Sequence, residues 1–266
     1  TPHVLPELTK RGALQRPPSH PSLWWYIGCT KKDRGGTAMK ERGAGRTEPQ
    51  VLWHEEKGSL TLEGEPVLEY TLSWPEVQNA GLSGRWISRY YDRLARSWKQ
   101  RWQREVYLAA CLSFAQKRER SRPFQCWTGR LGGEVTALKG GLLSIRLEGE
   151  EIRGDGKPCR VTWGDVWKVR EGRPEPLKRF FPGERRWKGR LTTGIREQGE
   201  ARQTGGDCFL DQGWEKYIGK LLPSRDFWLQ DGELAFAFPQ CAIAPAAEGT
   251  PVFRFPLAER EERPEA

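Results

Sequence analysis

Apolar positions recur every three to four residues along one long stretch of the chain, residues 84–116. The recurring residues are Ile87, Tyr91, Leu94, Trp98, Trp102 and Ala109. A stripe with this period is typical of an amphipathic helix that packs one face against a core. The opposite side of the same helix carries Arg85, Arg89, Arg93, Arg96 and Arg104. The pattern therefore predicts one long helix with a basic outer face.

Strands are predicted on both sides of this helix. Residues 51–56 and 59–63 alternate about Lys57 and Gly58, and residues 67–74 form a longer run. Pro75 is expected to end that run because proline cannot donate to a strand ladder. These three runs predict a three-stranded antiparallel start. After the helix, strands are predicted at 124–136 and 142–148, joined through two glycines at 140–141.

Two further helices are predicted in the second half of the chain. Residues 182–203 are rich in charge, and Trp187 and Leu191 lie one turn apart, so a helix is expected to end at the glycine pair 205–206. Asp211 is a candidate N-cap for a short helix. The apolar residues of that short helix are Trp214, Ile218 and Leu221.

The most specific pattern lies at residues 226–257. Short apolar runs at 227–229 and 234–238 flank Asp231 and Gly232, a pair whose turn requires positive φ at both positions and which strongly indicates a β-hairpin. A proline-bounded loop at 239–251 and a last strand at 252–255 follow. Together the elements predict an α+β fold in which antiparallel sheets are packed by one long amphipathic helix and by shorter helices.

The order of these C-terminal elements, with Ile-Ala-Pro-Ala-Ala-Glu-Gly inside the loop, resembles a known bacterial family. It is the domain of unknown function that ends the RsiV-type anti-sigma factors and occurs in some peptidoglycan deacetylases. Residues 142–147 resemble its central strand and residues 161–181 the strand pair that follows. Residues 69–77 and the long helix resemble its N-terminal companion domain. Many relatives carry Gly-Gly-Ala-His after the central strand, whereas this chain has Gly-Asp-Gly-Lys-Pro at 154–158.

The resemblance implies a binding module rather than an enzyme. It divides the chain into a leader (1–50), a companion region (51–121), the C-terminal domain (122–257) and a charged tail (258–266). For the RsiV-type proteins, the resemblance implies that this domain recognises lysozyme. That recognition leads to proteolysis of the receptor and release of a sigma factor. This chain has Cys241, Ala242 and Ala246 where relatives carry bulkier or aromatic residues, which weakens the expectation of lysozyme binding.

The 239–251 loop is the first candidate contact surface for a protein partner. Its prolines stiffen the loop, so that little entropy is lost when a partner docks. The candidate contact residues are Pro239, Gln240, Cys241, Pro245 and Glu248. The alternative is that Ile243 and Pro245 only plug the core.

Composition supports a folded protein for most of the 266 residues, since 13 tryptophans and 10 phenylalanines supply large buried areas. The first 50 residues differ, being rich in Pro, Gly, Lys and Arg, and the only methionine is Met39, which we interpret as a possible natural start. Trp24, Trp25 and Tyr26 form an apolar cluster too short to span a membrane or to form a signal peptide. No membrane span is predicted in this chain.

The sequence contains no recognisable catalytic or metal-binding motif, so neither an enzyme nor a cofactor is predicted. Its three histidines are His3, His20 and His54, and its six cysteines form no CxxC pair. If Cys29 lies before the natural start, five cysteines remain, and an odd number favours a reducing, cytoplasmic compartment. The carboxylates Glu148, Glu150, Glu151 and Asp155 are close in sequence, but a solvated loop is the preferred interpretation over glycosidic chemistry.

A nucleic acid or another anionic polymer is the alternative partner. Residues 85–122 contain eleven basic and three acidic residues with tryptophans among them, a composition that could track phosphates. Two observations weaken this interpretation. Trp98 and Trp102 belong to the apolar stripe and are expected in the core. The net charge of +9 falls to +5 without residues 1–38, which leaves 38 basic and 33 acidic residues.

Overall fold

The computed structural model describes residues 48–222 and 226–257. The predicted tail and all of the predicted leader except residues 48–50 lie outside this part, as do Met39 and Cys29. The strands are β1 (Gln50–Leu62), β2 (Glu65–Gln78), β3 (Trp127–Lys139), β4 (Leu142–Ile152), β5 (Pro158–Lys168), β6 (Arg173–Pro174), β7 (Trp228–Gln230), β8 (Glu233–Ala237) and β9 (Val252–Pro256). The α-helices are α1 (Gly81–Arg101), α2 (Tyr107–Glu119), α3 (Trp187–Gly205) and α4 (Glu215–Leu221). The predicted α+β fold is confirmed.

The strands form two sheets. The larger sheet has the order β1-β2-β3-β4-β5-β6, and β7-β8-β9 form a smaller one. Neighbouring strands are antiparallel except β2 and β3, which run parallel where residues 68–72 face residues 127–131. A parallel pair needs a long crossover connection, and the helices α1 and α2 supply it. The larger sheet therefore contains strands from both sides of residue 121, and the proposed division into domains stays a prediction.

The first hairpin is longer than predicted. β1 is one continuous strand of 13 residues, so the two separate strands predicted at 51–56 and 59–63 are wrong. Gly58 does not interrupt β1 because the ring of Tyr70 on β2 covers it. A Cβ at Gly58 would lie 2.3 Å from that ring, so glycine here makes room for an aromatic cross-strand neighbour.

Pro75 does not end the second strand, contrary to prediction. β2 continues to Gln78, and Pro75 pairs with Trp53 of β1. β3 accompanies β2 only as far as Leu72, so one edge of β2 has no partner strand at Pro75. A proline is tolerated at such an edge because no ladder hydrogen bond is lost there. The predicted three-stranded antiparallel start is therefore a two-stranded one, because β1 spans the first two predicted runs and β2, the third run, pairs with it in antiparallel register.

The long helix is confirmed, with a shifted register in its second half. Helical residues run from Gly81 to Glu119 and include a π-helical turn at Trp102–Val106. Such a turn is wider than an α-helical one and holds more residues. The buried positions after Trp102 are accordingly Val106 and Ala110, while Ala109 is only half-buried. All stripe residues predicted up to Trp102 are buried as expected.

Rings of the long helix pack into positions that glycines leave open in the larger sheet. A Cβ at Gly149 of β4 would lie 2.6 Å from the ring of Trp98, and a Cβ at Gly129 of β3 would lie 2.7 Å from the ring of Trp102. Trp98 also stacks on Trp163 of β5 with ring centroids 6.3 Å apart. The sheet glycines thus let the helix approach closely enough to bury Trp98 and Trp102 completely.

The C-terminal hairpin is confirmed and packs against the larger sheet. Asp231 and Gly232 have φ values of 53° and 77°, which are the left-handed values that its turn requires. The backbone N–H of Leu229 donates to the Oγ of the buried Ser144, at 2.7 Å. Gly164 permits this approach, because a Cβ there would lie 2.6 Å from the carbonyl oxygen of Phe227.

The two later helices are confirmed, but both begin later than predicted: α3 begins at Trp187 instead of residue 182, because residues 182–186 form a turn. α3 ends at Gly205 and is capped by Gly206, whose φ of 75° is a common helix stop. α4 begins at Glu215, so the N-cap predicted at Asp211 is wrong. The backbone N–H of Asp211 instead donates to the carbonyl of Ile243 at 2.9 Å, which draws this residue into a loop contact. None of the helices in residues 48–222 and 226–257 combines the length and apolarity needed to cross a bilayer.

Candidate functional site

The 239–251 loop leaves the smaller sheet at Phe238 and returns to it at β9. Its base is closed by the backbone N–H of Phe238, which donates to the carbonyl of Pro251 at 2.9 Å. Ile243 and Ala244 point inward and are fully buried, and a 3-10 turn follows at Ala246–Glu248. A loop whose ends meet and whose centre is anchored in the core holds one conformation.

Gln240 holds the loop against the start of β5. Its Oε1 accepts a hydrogen bond from the backbone N–H of Arg160 at 2.7 Å. Its Nε2 donates to the carbonyls of Pro158, at 3.1 Å, and of Ala246, at 2.7 Å. Gln240 is only 4% exposed, and its amide is fully engaged inside the protein. Among the predicted contact residues it therefore positions the loop and offers little surface of its own.

The other four predicted contact residues reach the surface. Pro239, Cys241 and Pro245 are exposed, and Glu248 is partly exposed. Cys241 has a φ of 63°, a left-handed conformation that non-glycine residues rarely adopt and that often marks functional sites. The alternative that Ile243 and Pro245 both plug the core holds for Ile243 alone, which is 0% exposed.

An exposed phenylalanine extends this surface, and sequence reasoning missed it. The backbone N–H of Phe209 donates to Glu248 Oε1 at 3.2 Å, which fixes the Phe209 segment beside the loop. The Phe209 side chain is 71% exposed. In the sequence Phe209 adjoins Leu210, which is buried, and nothing in the local pattern indicates which of the two faces solvent.

The thiols near the loop differ in accessibility. Cys241 is exposed, while Cys111, Cys126, Cys159 and Cys208 are half-buried, and these five are free cysteines. Burial raises the pKa of the Cys208 thiol, and the neighbouring carboxylate of Glu248 raises that pKa further. Burial likewise raises the pKa of the Cys126 thiol.

Cys241 is expected to react first with a maleimide in a Cys29→Ser variant. The thiolate is the reactive form, and the raised pKa values of Cys208 and Cys126 lower their thiolate fractions at neutral pH. Peptide mass spectrometry after short labelling times gives the order of reaction. Labelling of Cys208 or Cys126 at the rate of Cys241 would contradict the described loop surface.

The second predicted surface is the outer face of α1 and the turn after it. Arg85, Arg89, Arg93, Arg96 and Arg104 are all exposed, as predicted. Arg96 pairs with Asp92 one turn away at 3.0 Å. Trp98 and Trp102 are fully buried, so these two rings are not available to stack on bases. Trp86 is the ring that remains on the outside, at 54% exposure.

The solvated loop predicted for the carboxylates at 148–155 is wrong for three of them, since Glu148, Glu150 and Glu151 lie on β4. Glu148 pairs with Arg146 at 3.2 Å and Glu150 with Arg160 at 2.6 Å. Glu151 is buried beneath two arginines. Asp155 accepts a hydrogen bond from the backbone N–H of Lys157 at 3.2 Å, in the turn that follows β4. Across residues 48–222 and 226–257, no three His, Cys, Asp or Glu residues lie together as metal ligands would.

The fold is similar to solved structures of the DUF3298 family. A member from Bacteroides fragilis NCTC 9343 has a TM-score of 0.53 and 15% sequence identity, over 79% of this chain and 90% of that chain. A DUF3298 family protein from Pseudomonas aeruginosa PAO1 has a TM-score of 0.46 and 13% identity, over 78% and 89% of the two chains. No protein-family model matches the sequence, and no curated protein matches it. The chain thus has the fold of a domain of unknown function.

Proposed function

We propose that this chain is a non-enzymatic binding module that takes up a protein partner through the 239–251 loop. The observation that carries the proposal is the way the loop is held. Its interior is fixed by Gln240, by the buried Ile243 and by the Asp211 backbone contact, while its outer residues stay exposed. A surface ordered in advance loses little conformational entropy when a partner binds.

The chemistry of the exposed residues fits a protein contact. Pro239, Cys241, Pro245 and the neighbouring Phe209 present small and aromatic apolar groups, and Glu248 lies at the edge of this surface. Protein interfaces commonly place aromatic and apolar residues at the centre and polar residues at the rim. Phe209, as the largest exposed group beside the loop, is the candidate anchor.

The class of partner comes from the resemblance stated above. The RsiV-type anti-sigma factors that this sequence resembles use the domain to recognise lysozyme, which makes lysozyme the first defined probe. The small residues at Cys241, Ala242 and Ala246 provide less contact area than bulkier residues would, so a different protein partner is preferred. We propose that this chain binds its partner through the same loop as the RsiV-type proteins do, and that the partner is a different protein.

The Pro239→Gly, Pro245→Gly double variant is expected to lose its partner. Each replacement adds roughly 0.5–1 kcal/mol of loop entropy that binding must remove, so affinity falls roughly tenfold. Immobilised chain is exposed to lysate of the producing cells, and separately to lysozyme, at low and high salt. The matched control is Pro123→Gly with Pro176→Gly, two exposed prolines outside the loop.

A protein retained at high salt by the wild type and the control, and lost by the loop variant, supports the proposal. Equal retention of that protein by the loop variant contradicts it. Thermal melts of all three forms establish that the comparison is made between folded proteins.

The anionic-polymer alternative rests on the exposed arginines of α1. It predicts nucleic acid in the eluate, retention that decreases steeply with salt as counterions are released, and no effect of the loop variant. Arg89→Gln with Arg93→Gln would then weaken retention. If only such salt-sensitive nucleic acid is recovered, the binding surface is the outer face of α1 and not the loop.

A further inference from the structure

An open hollow lies along the first half of α3, away from the 239–251 loop. It has a volume of about 710 Å³ and lies between the turn at residues 182–186 and the helix. Arginine is its commonest lining residue, with Arg185, Arg186, Arg190 and Arg196. The hollow is open to solvent and its arginines are exposed, so a ligand here would be held by charge on one side.

Helical spacing brings together the part of the lining that lies on α3, since Gly189, Thr192 and Arg196 follow one another at intervals of three and four residues and Arg190 and Thr193 lie three apart. Residues so spaced are neighbours on the surface of a helix. Arg185 and Arg186 belong to the turn before α3, and the backbone N–H of Arg190 donates to the carbonyl of Arg186 at 3.2 Å, which joins that turn to the helix. At Gly189 a Cβ would have no atom within 4 Å, so this part of the hollow is unobstructed.

The charge in the hollow is not balanced by the protein. Glu184 pairs with Arg190 and is the one acidic residue in the lining. Within the described residues, no acidic side chain forms an ion pair with Arg185, Arg186 or Arg196, whereas thirteen other Lys and Arg side chains do have such partners. Four arginines and one glutamate leave a net charge of +3.

The chemistry of the lining selects one kind of ligand. Guanidinium groups offer paired donors that match phosphate oxygens two at a time, and the Thr193 hydroxyl adds a neutral hydrogen-bonding group. Arg190 is already paired with Glu184, and two linked phosphates offer the remaining three guanidinium groups more oxygens and more negative charge than a single phosphate does. We propose that this hollow, here called the α3 arginine site, binds a pyrophosphate group, either free or as the ester of a small molecule.

The test is isothermal titration calorimetry of the full chain with inorganic pyrophosphate, inorganic phosphate and ADP at about 0.15 M ionic strength. Pyrophosphate is expected to bind at least tenfold more tightly than phosphate. Similar binding of ADP would extend the site to pyrophosphate esters, and its failure would restrict the site to the free anion. Equal affinity for phosphate and pyrophosphate would overturn the proposal, since it would indicate only general attraction of anions.

Variants locate the binding. Arg185→Gln with Arg196→Gln is expected to weaken pyrophosphate binding at least tenfold. The control, Arg130→Gln with Arg170→Gln, removes the same charge from two exposed arginines outside the hollow and is expected to change affinity less than twofold. Equal losses in both double variants would overturn the assignment. Pyrophosphate-induced NMR shifts at the Gly189 and Thr193 amides provide a readout that does not depend on any variant.

Discussion

Replacing Trp98 with alanine is expected to lower the free energy of unfolding by about 4 kcal/mol. Trp98 is 0% exposed, and its ring lies against Gly149 and stacks on Trp163. Its indole N–H has no hydrogen-bond partner among the described residues, so truncation removes packing alone. Because glycine already occupies the position beneath the ring, no neighbouring side chain there can move in to fill the cavity.

Trp86→Ala is the matched control for this prediction. Trp86 lies on the same helix but is 54% exposed, so its loss is expected to change stability by about 0.5 kcal/mol or less. Urea unfolding followed by far-UV circular dichroism measures both variants without interference from the remaining tryptophans. Equal losses in the two variants, or a loss below about 1 kcal/mol for Trp98→Ala, would show that the helix does not depend on this packing.

The elements that local chemistry determines could be predicted from the sequence. The Asp231-Gly232 turn and the stop of α3 at Gly206 both depend on left-handed backbone conformations that favour these residues. The long helix followed from its apolar period alone. In each case the residues that determine the element lie within a few positions of it.

The failures occurred where distant residues decide the outcome. Gly58 has the chemistry of a turn residue, but the ring of Tyr70 from the neighbouring strand lies over it. Pro75 has the chemistry of a strand stop, but β3 pairs with β2 only as far as Leu72, so the proline lies at a free strand edge. Asp211 has the chemistry of an N-cap, yet its backbone is engaged by Ile243 across the molecule. The parallel pairing of β2 with β3 likewise has no local signature.

The same division applies to the candidate sites. The loop residues Pro239, Cys241 and Pro245 were predicted to be at the surface and are exposed there, whereas the burial of Gln240 depends on carbonyls of Pro158 and Ala246 that only the fold brings together. The α3 arginine site was missed for a related reason. A charge-rich helix is normally solvated. The hollow forms because the turn at residues 182–186 lies beside α3 and brings its own arginines next to those of the helix.

Glu151 is the most deeply buried charged residue among the described residues. Its carboxylate is 0% exposed and accepts hydrogen bonds from Arg101 Nε at 3.1 Å, from Arg153 at 2.8 Å and from Trp102 Nε1 at 3.1 Å. These contacts connect β4 to the long helix at the start of the π-helical turn. Its neighbour Glu150 pairs instead with Arg160 nearer the surface, where the two side chains are 29% and 52% exposed.

Glu151→Ala is accordingly expected to lower the free energy of unfolding by about 3 kcal/mol, whereas Glu150→Ala should lower it by about 1 kcal/mol or less. The value for Glu151 lies at the low end for a broken buried pair because Arg101 and Arg153 are 27% and 45% exposed and keep part of their hydration. Urea unfolding measures both. If the orphaned arginine causes the loss, Glu151→Leu combined with Arg101→Leu should be more stable than Glu151→Leu alone. A further loss in the double variant would show instead that Arg101 stabilises the helix through Glu105 or through its own packing.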